Sequence, residues 1–222
     1  MCFSIKRFKI KELSEIGKRL TKLRERKGIS RLQLAKELIE QGYIDYDSPE
    51  SLNQYLYMIE KGRRKPKDET LKPIAEYFGV PLQWLKGEIV YIPIVGETQA
   101  GSFGGHISDS AEAYFPLPAS IVSIPEPEER TFFMEVEGDS MYPQFKPGDL
   151  VHLADPSYCP PENGDEVVVI KDGEATLKKY YIEKEKVRLV PVNGAYQPIE
   201  LTPEDLANAM IFKVIGVYRK NR

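Results

Sequence analysis

The stretch Tyr57-Met58-Ile59-Glu60-Lys61-Gly62-Arg63-Arg64-Lys65-Pro66 closes an apolar helical repeat and runs straight into a dense basic cluster. Leu52, Leu56 and Ile59 recur at the spacing of one helix face, and Gly62 marks where that helix stops. Its start is equally legible: Ser48 suits an N-cap and Pro49 the first helical position. Toward the N-terminus, Ser30-Arg31-Leu32-Gln33 reads as a capping box, opening a second helix that buries Leu34, Ala35 and Leu38. Further out, Ile16, Leu20 and Leu23 alternate with Lys18, Arg19, Lys22, Arg24 and Arg26, an amphipathic first helix capped by Ser14 and ended by Lys27-Gly28. Toward the C-terminus, Asp68-Glu69-Thr70 starts a fourth helix that buries Leu71, Ile74, Ala75 and Phe78 and ends at Gly79. Pro81 to Leu85 is a short closing turn or fifth helix.

Charge divides the chain at about the same place. Residues 1–87 hold 19 Lys and Arg against 12 Asp and Glu, whereas residues 88–222 hold 12 against 22. The net charge of -3 therefore hides a basic half and an acidic half, which predicts two domains with different partners.

After Gly87 the period changes. Short apolar or alternating runs, Val90–Val95, Phe132–Val136, Leu150–Leu153, Glu166–Ile170, Glu174–Tyr181, Val187–Val192 and Ile211–Tyr218, are separated by turn residues. Pro147-Gly148-Asp149, Asn163-Gly164, Asp172-Gly173 and Asn193-Gly194 supply the turns, and Asp172-Gly173 predicts a hairpin. The fold class is thus an all-α domain over 1–87, with a basic arm at 1–13, followed by a mostly-β domain over 88–222.

Two segments of the second domain carry chemistry. Glu137-Gly138-Asp139-Ser140-Met141 places a serine at a glycine-containing turn after a strand, and Ala175-Thr176-Leu177-Lys178-Lys179 places a lysine on a strand. A serine hydroxyl needs a base. Lysine serves only as the free amine, and bringing it from a pKa of about 10.4 to near neutrality costs about 4 kcal/mol, which burial beside apolar walls can supply. Strand alternation puts Lys178 and Thr176 on one face and Lys179 on the other, so Lys178 is preferred. A turn serine and a solvated lysine is the alternative reading of these residues alone.

The helical half resembles the Xre/phage-repressor helix-turn-helix family over roughly residues 14–87, on Tyr57 to Pro66 with Glu69-Thr70-Leu71 and Ile74-Ala75. The resemblance implies a third helix in the major groove of double-stranded DNA. Asn53, Gln54, Tyr57 and Met58 would then reach base edges, and Arg31, Lys61, Arg63, Arg64 and Lys65 would hold phosphates. Packing or solvent contact is the alternative for Tyr55 and Tyr57. The segment Ile39 to Asp47 departs from the family's tight turn, as either a longer second helix or a loop. For the arm at Lys6, Arg7, Lys9 and Lys11, a frayed terminus is preferred over a minor-groove contact.

The second half resembles the S24 family of LexA/CI-like self-cleaving repressors, which shares its Ser/Lys arrangement with signal peptidases. The resemblance rests on Gly138 to Met141 with Pro147-Gly148-Asp149, on Thr176-Leu177-Lys178, and on Pro93-Ile94-Val95-Gly96 before Ala100-Gly101. It implies Ser140 as nucleophile, Lys178 as general base, Thr176 as a supporting hydroxyl, and Ala100-Gly101 as the scissile bond in a loop around 93–105. It also implies a homodimer formed by the C-terminal domain on a palindromic operator, with a RecA filament as trigger in an SOS-type response. Gln99 departs from the small apolar residue usual before the Ala.

These readings converge on a sequence-specific transcriptional repressor that inactivates itself as a serine autopeptidase. The alternatives are a non-cleaving regulator whose C-terminal domain only dimerises, and a signal-peptidase-like protease. No apolar stretch approaches the ~20 residues that span a bilayer, and the N-terminus lacks a signal-peptide core. Cys2 and Cys159 fit neither a disulfide scaffold nor a metal site, and His106 and His152 lack neighbouring ligands, so the expectation is a cytoplasmic protein without metal or cofactor.

Overall fold

Five helices follow one another in the computed structural model, which describes residues 15–96, 111, 113–184 and 186–219: α1 (Glu15–Arg26), α2 (Arg31–Glu40), α3 (Pro49–Glu60), α4 (Asp68–Phe78) and α5 (Leu82–Leu85). The basic arm, Ser14, and the Ala100-Gly101 pair lie outside the described residues. Two compact units divide between Ile89 and Val90.

The helical unit closes on Leu20, Leu34, Leu38, Leu52, Leu56, Ile59, Leu71, Ile74 and Leu85, all nearly inaccessible to solvent. At the start of α3, Ser48 Oγ accepts the Ser51 N–H at 3.2 Å and Pro49 occupies the first turn. Gly79 ends α4 in the left-handed conformation, φ 66°. Gly17 marks the closest approach of α1 to α3, since a Cβ there would lie 2.7 Å from the carbonyl oxygens of Ile59 and Glu60. The capping box expected at α2 forms only by half. Ser30 Oγ accepts the Gln33 N–H at 3.1 Å, but the Gln33 amide donates forward to Glu37 Oε1 at 2.8 Å, an i,i+4 bond with a charged acceptor. The extra residues after α2 form a loop. Tyr43 and Ile44 turn both backbone N–H groups onto the Leu38 carbonyl, and Tyr43, Ile44 and Tyr46 pack on the core.

Among the described residues, the second unit is built on a nine-stranded sheet. Its strands are β1 (Ile89–Ile94), β2 (Ala113–Pro118), β3 (Thr131–Glu135), β4 (Leu150–Ala154), β5 (Glu166–Lys171), β6 (Glu174–Glu183), β7 (Lys186–Val190), β8 (Ile199–Leu201) and β9 (Ala209–Tyr218). They lie in the order β2-β1-β3-β4-β9-β5-β6-β7-β8. β1 runs parallel to β3, and β5 and β6 form the expected antiparallel hairpin. Asp172 and Gly173 join the hairpin with φ of 54° and 82°, the two left-handed residues of a type I′ turn. β5 is buried on both faces: Val168 and Ile170 join one apolar cluster with Phe132, Met141 and Phe145, whereas Val167 and Val169 join another with Tyr180 and Leu189. Sequence periodicity misses β2 and β8, the two edge strands. β8 spans only three residues, and β2 carries Pro116 and Pro118, tolerated because an edge needs fewer ladder donors.

Candidate active site and nucleic-acid face

Ser140 sits on an excursion that leaves the sheet at Val136 and returns at Asp149. Two backbone bonds close its base, Val136 N–H to Asp149 O at 2.8 Å and Gly148 N–H to Val136 O at 2.9 Å. This is the work of Pro147-Gly148-Asp149, where Gly148 takes φ 87°. The Asp149 carboxylate is buried. It pairs with Arg219 and accepts the Lys146 N–H at 2.9 Å. The Arg219 hydrogen bonds, aided by that backbone bond, hold its pKa below the usual carboxylate range despite desolvation. At the other end of the excursion, Gly138 at φ 69° leads into a series of turns that begins at Ser140 and buries Met141 and Phe145 in the core.

β6 delivers the lysine. Lys178 is only 6% exposed and lies opposite Val167, which is fully buried. Its Nζ stands 2.8 Å from Ser140 Oγ, 2.9 Å from Thr176 Oγ1 and 3.0 Å from the Leu177 carbonyl. Among the described residues it pairs with no carboxylate. Burial without an opposing charge pushes the amine below the ordinary lysine range. Once the amine has lost its proton, Thr176 and Leu177 can take its two remaining hydrogens and leave the lone pair facing the Ser140 hydroxyl. Lys179 points away and lies 4.0 Å from Glu166. His152 takes no part: burial lowers its pKa to about 4, and it bonds Thr131 Oγ1 at 2.7 Å while stacking on Phe133.

On the helical unit, α3 presents Gln54 exposed and Asn53, Tyr57 and Met58 half-buried, while Lys61, Arg63, Arg64 and Lys65 are exposed just beyond it. Tyr57 lies beneath two guanidiniums, Arg31 at 5.1 Å and Arg63 at 5.6 Å, and Arg64 covers Tyr55 at 5.0 Å. Arg31, expected at a phosphate, also faces a carboxylate of its own domain. Its Nε and Nη2 both donate to Glu60 Oε2, at 2.9 and 2.7 Å, while Arg24 Nε donates to Glu60 Oε1 at 3.1 Å. Glu60 is 4% exposed, so Arg24 and Arg31 together neutralise a buried carboxylate.

Comparison with known proteins agrees with both halves. The Peptidase S24-like family model matches residues 93–218, more than half of the chain. The chain belongs to the Peptidase S24-like family. A helix-turn-helix domain model matches residues 17–87. The LexA repressor of Bacillus cytotoxicus is 39% identical over 133 residues, 59% of this chain and 60% of that protein. That of Geobacillus kaustophilus is 38% identical over 136 residues, 60% and 61% of the two chains. LexA repressor 1 of Geobacter sulfurreducens is 37% identical over 142 residues, 64% and 67%. The chain thus spans about 60% of the length of the first two of these relatives.

The candidate site holds residues that the sequence did not flag. Asn193 and Tyr196, on the connection between β7 and β8, bond the backbone and carboxylate of Asp139 and the carbonyl of Ser140. Asn193-Gly194 reads in the sequence only as a turn. Arg219, the partner of Asp149, follows the last strand, and nothing near it in the sequence signals a role. Among the described residues, no helix is long and apolar enough to cross a membrane, and no group of three His, Cys, Asp or Glu could hold a metal ion.

Proposed function

We propose that this chain is a DNA-binding transcriptional repressor that inactivates itself by cutting its own backbone between its two domains. The observation that carries the reading is the 2.8 Å approach of Ser140 Oγ to a buried lysine amine that pairs with no carboxylate among the described residues. Lys178 accepts the hydroxyl proton as Ser140 Oγ bonds to the carbonyl carbon of Ala100. The Ala100–Gly101 C–N bond breaks, the proton passes from Lys178 to the Gly101 nitrogen, and an acyl ester remains on Ser140. Water, deprotonated by the same amine, hydrolyses the ester to give a carboxylate at Ala100 and restore Ser140. Thr176 orients the amine, and the Ser140 N–H holds the oxyanion.

In the helical domain, Asn53, Gln54, Tyr57 and Met58 read bases, and Lys61, Arg63, Arg64 and Lys65 hold phosphates. A homodimer through the C-terminal domain couples two such helices to paired half-sites. Cutting the chain removes that linkage and its avidity. The relatives named as LexA repressors support this regulatory reading.

Incubating the purified protein at alkaline pH tests the proposal. Two fragments separating at Ala100-Gly101 are expected by mass spectrometry, with none from Ser140→Ala or Lys178→Ala. A wild-type chain left uncut, even with an activated RecA filament added, would instead identify the C-terminal domain as a dimerisation module.

A further inference from the structure

We infer that Asn193 is a positioning residue that aims the Ser140 N–H at the oxyanion, an assignment that rests on the self-cleavage reading above. Two of its polar groups bear on the turn. The Asn193 N–H donates to the Ser140 carbonyl at 2.9 Å, and its Nδ2 donates to the Asp139 carbonyl at 3.1 Å and lies 3.4 Å from Asp139 Oδ2. Its Oδ1 accepts the Ala195 N–H at 3.1 Å. That last bond fixes the amide, because only the oxygen can accept it and the nitrogen is thereby turned to Asp139. Tyr196 adds a hydroxyl on the Asp139 carboxylate, and its own N–H donates to the Asn193 carbonyl at 3.1 Å.

The consequence follows from peptide geometry. The Asp139 carbonyl and the Ser140 N–H belong to one planar trans unit, so they point in opposite directions. Holding that carbonyl toward Asn193 turns the Ser140 N–H away from Asn193. The bond to the Ser140 carbonyl fixes the next unit in the same manner. The restraint matters because Gly138, at φ 69°, allows the adjoining backbone wide freedom. A flip of the 139–140 peptide would present a carbonyl oxygen where the reaction needs an N–H, replacing stabilisation of the developing charge with repulsion. Among the described residues the Lys178 amine bonds Thr176, Leu177 and Ser140 and not Asn193.

The test measures self-cleavage of the full-length chain against pH for wild type, Asn193→Ala, Asn193→Asp and Tyr196→Phe. Deleting an oxyanion donor outright lowers rates by about 10²–10³. Losing its restraint should lower the plateau rate of both Asn193 variants by roughly 10- to 100-fold, up to that bound. The pH midpoint should stay where it is in wild type, since it belongs to Lys178. Tyr196→Phe, which leaves the Asn193 amide in place, should lose less than either. A plateau within about twofold of wild type, or a displaced midpoint, would overturn the assignment. The amide resonance of Ser140 at neutral pH gives a readout independent of cleavage: Asn193→Ala should displace it, and an unmoved resonance would overturn the assignment. If wild type itself does not cleave, the self-cleavage reading fails. The Ser140 resonance then decides alone whether Asn193 positions this turn.

Discussion

Replacing Glu60 with Gln removes the charge on which the helical domain's two buried arginine contacts converge. Glu60 has a 3% exposed side chain, against 14% for Arg24 and 25% for Arg31. Breaking one side of a fully buried ion pair costs about 3–5 kcal/mol, because the partner charge is left uncompensated. Here both guanidiniums keep some solvent contact and the Gln amide can still accept one bond, so the lower end, about 3 kcal/mol, applies. With a urea slope of about 1 kcal/mol/M for a domain this small, the unfolding midpoint should fall by about 3 M. Trp84 is the chain's single tryptophan and packs in the helical domain, with Arg19 over its ring at 4.6 Å. Its fluorescence therefore reports this domain without interference from tryptophan in the other. A midpoint shift below about 0.5 M, which that slope equates to ~0.5 kcal/mol, would show that Glu60 is solvated and its arginines free. Arg31 would then be free to meet a phosphate.

Gly17→Ala should destabilise the same domain by about 1–3 kcal/mol, because the added methyl meets backbone oxygens of α3 that cannot rotate away; Trp84 fluorescence in urea checks it, and an unchanged midpoint would refute the close approach. Lys178→Met should raise the stability of the β-domain most at low pH. Lysine is protonated in both folded and unfolded chains there, so wild type carries the full cost of a buried ammonium. That cost shrinks as pH climbs past the depressed folded pKa and vanishes above the ordinary value of about 10.4. Thermal melts of both proteins from pH 6 to 10 should converge with rising pH, and a constant gap would contradict it. Affinity for operator DNA should fall steeply with salt, and each of Lys61, Arg63, Arg64 and Lys65 changed to Ala should flatten the log–log slope by about one. Arg31→Ala should not flatten it.

Local signals carried much of this molecule. Ser48-Pro49 and Gly79 announce helix ends because caps are satisfied by residues a few positions away. Lys178 stands out from Lys179 because strand alternation alone separates their faces. What stayed hidden depends on partners distant in the chain. Glu60 takes Arg24 and Arg31 from 36 and 29 residues away, so Arg31 looks in the sequence like any basic side chain at a helix start. Asn193 reaches Asp139 across 54 residues, and its Asn-Gly context disguises it as a turn. Asp149 meets Arg219 across 70 residues, beyond the last strand. The capping box half failed for a local reason, since Glu37 offers the Gln33 amide a charged acceptor. β2 and β8 were missed because edge strands, short or proline-bearing, lack sustained alternation.

The central claim is that the buried Lys178, as its free amine, activates Ser140, and the rate of self-cleavage as a function of pH tests it most directly. The free-amine fraction grows as pH rises through the depressed lysine pKa, so the log of the rate should climb with a slope of about one and then level off below pH ~10.4. Lys178→Ala and Ser140→Ala should remain uncut across the range. A rate that keeps rising through the ordinary lysine pKa without levelling, or cleavage that survives in Lys178→Ala, would contradict the account.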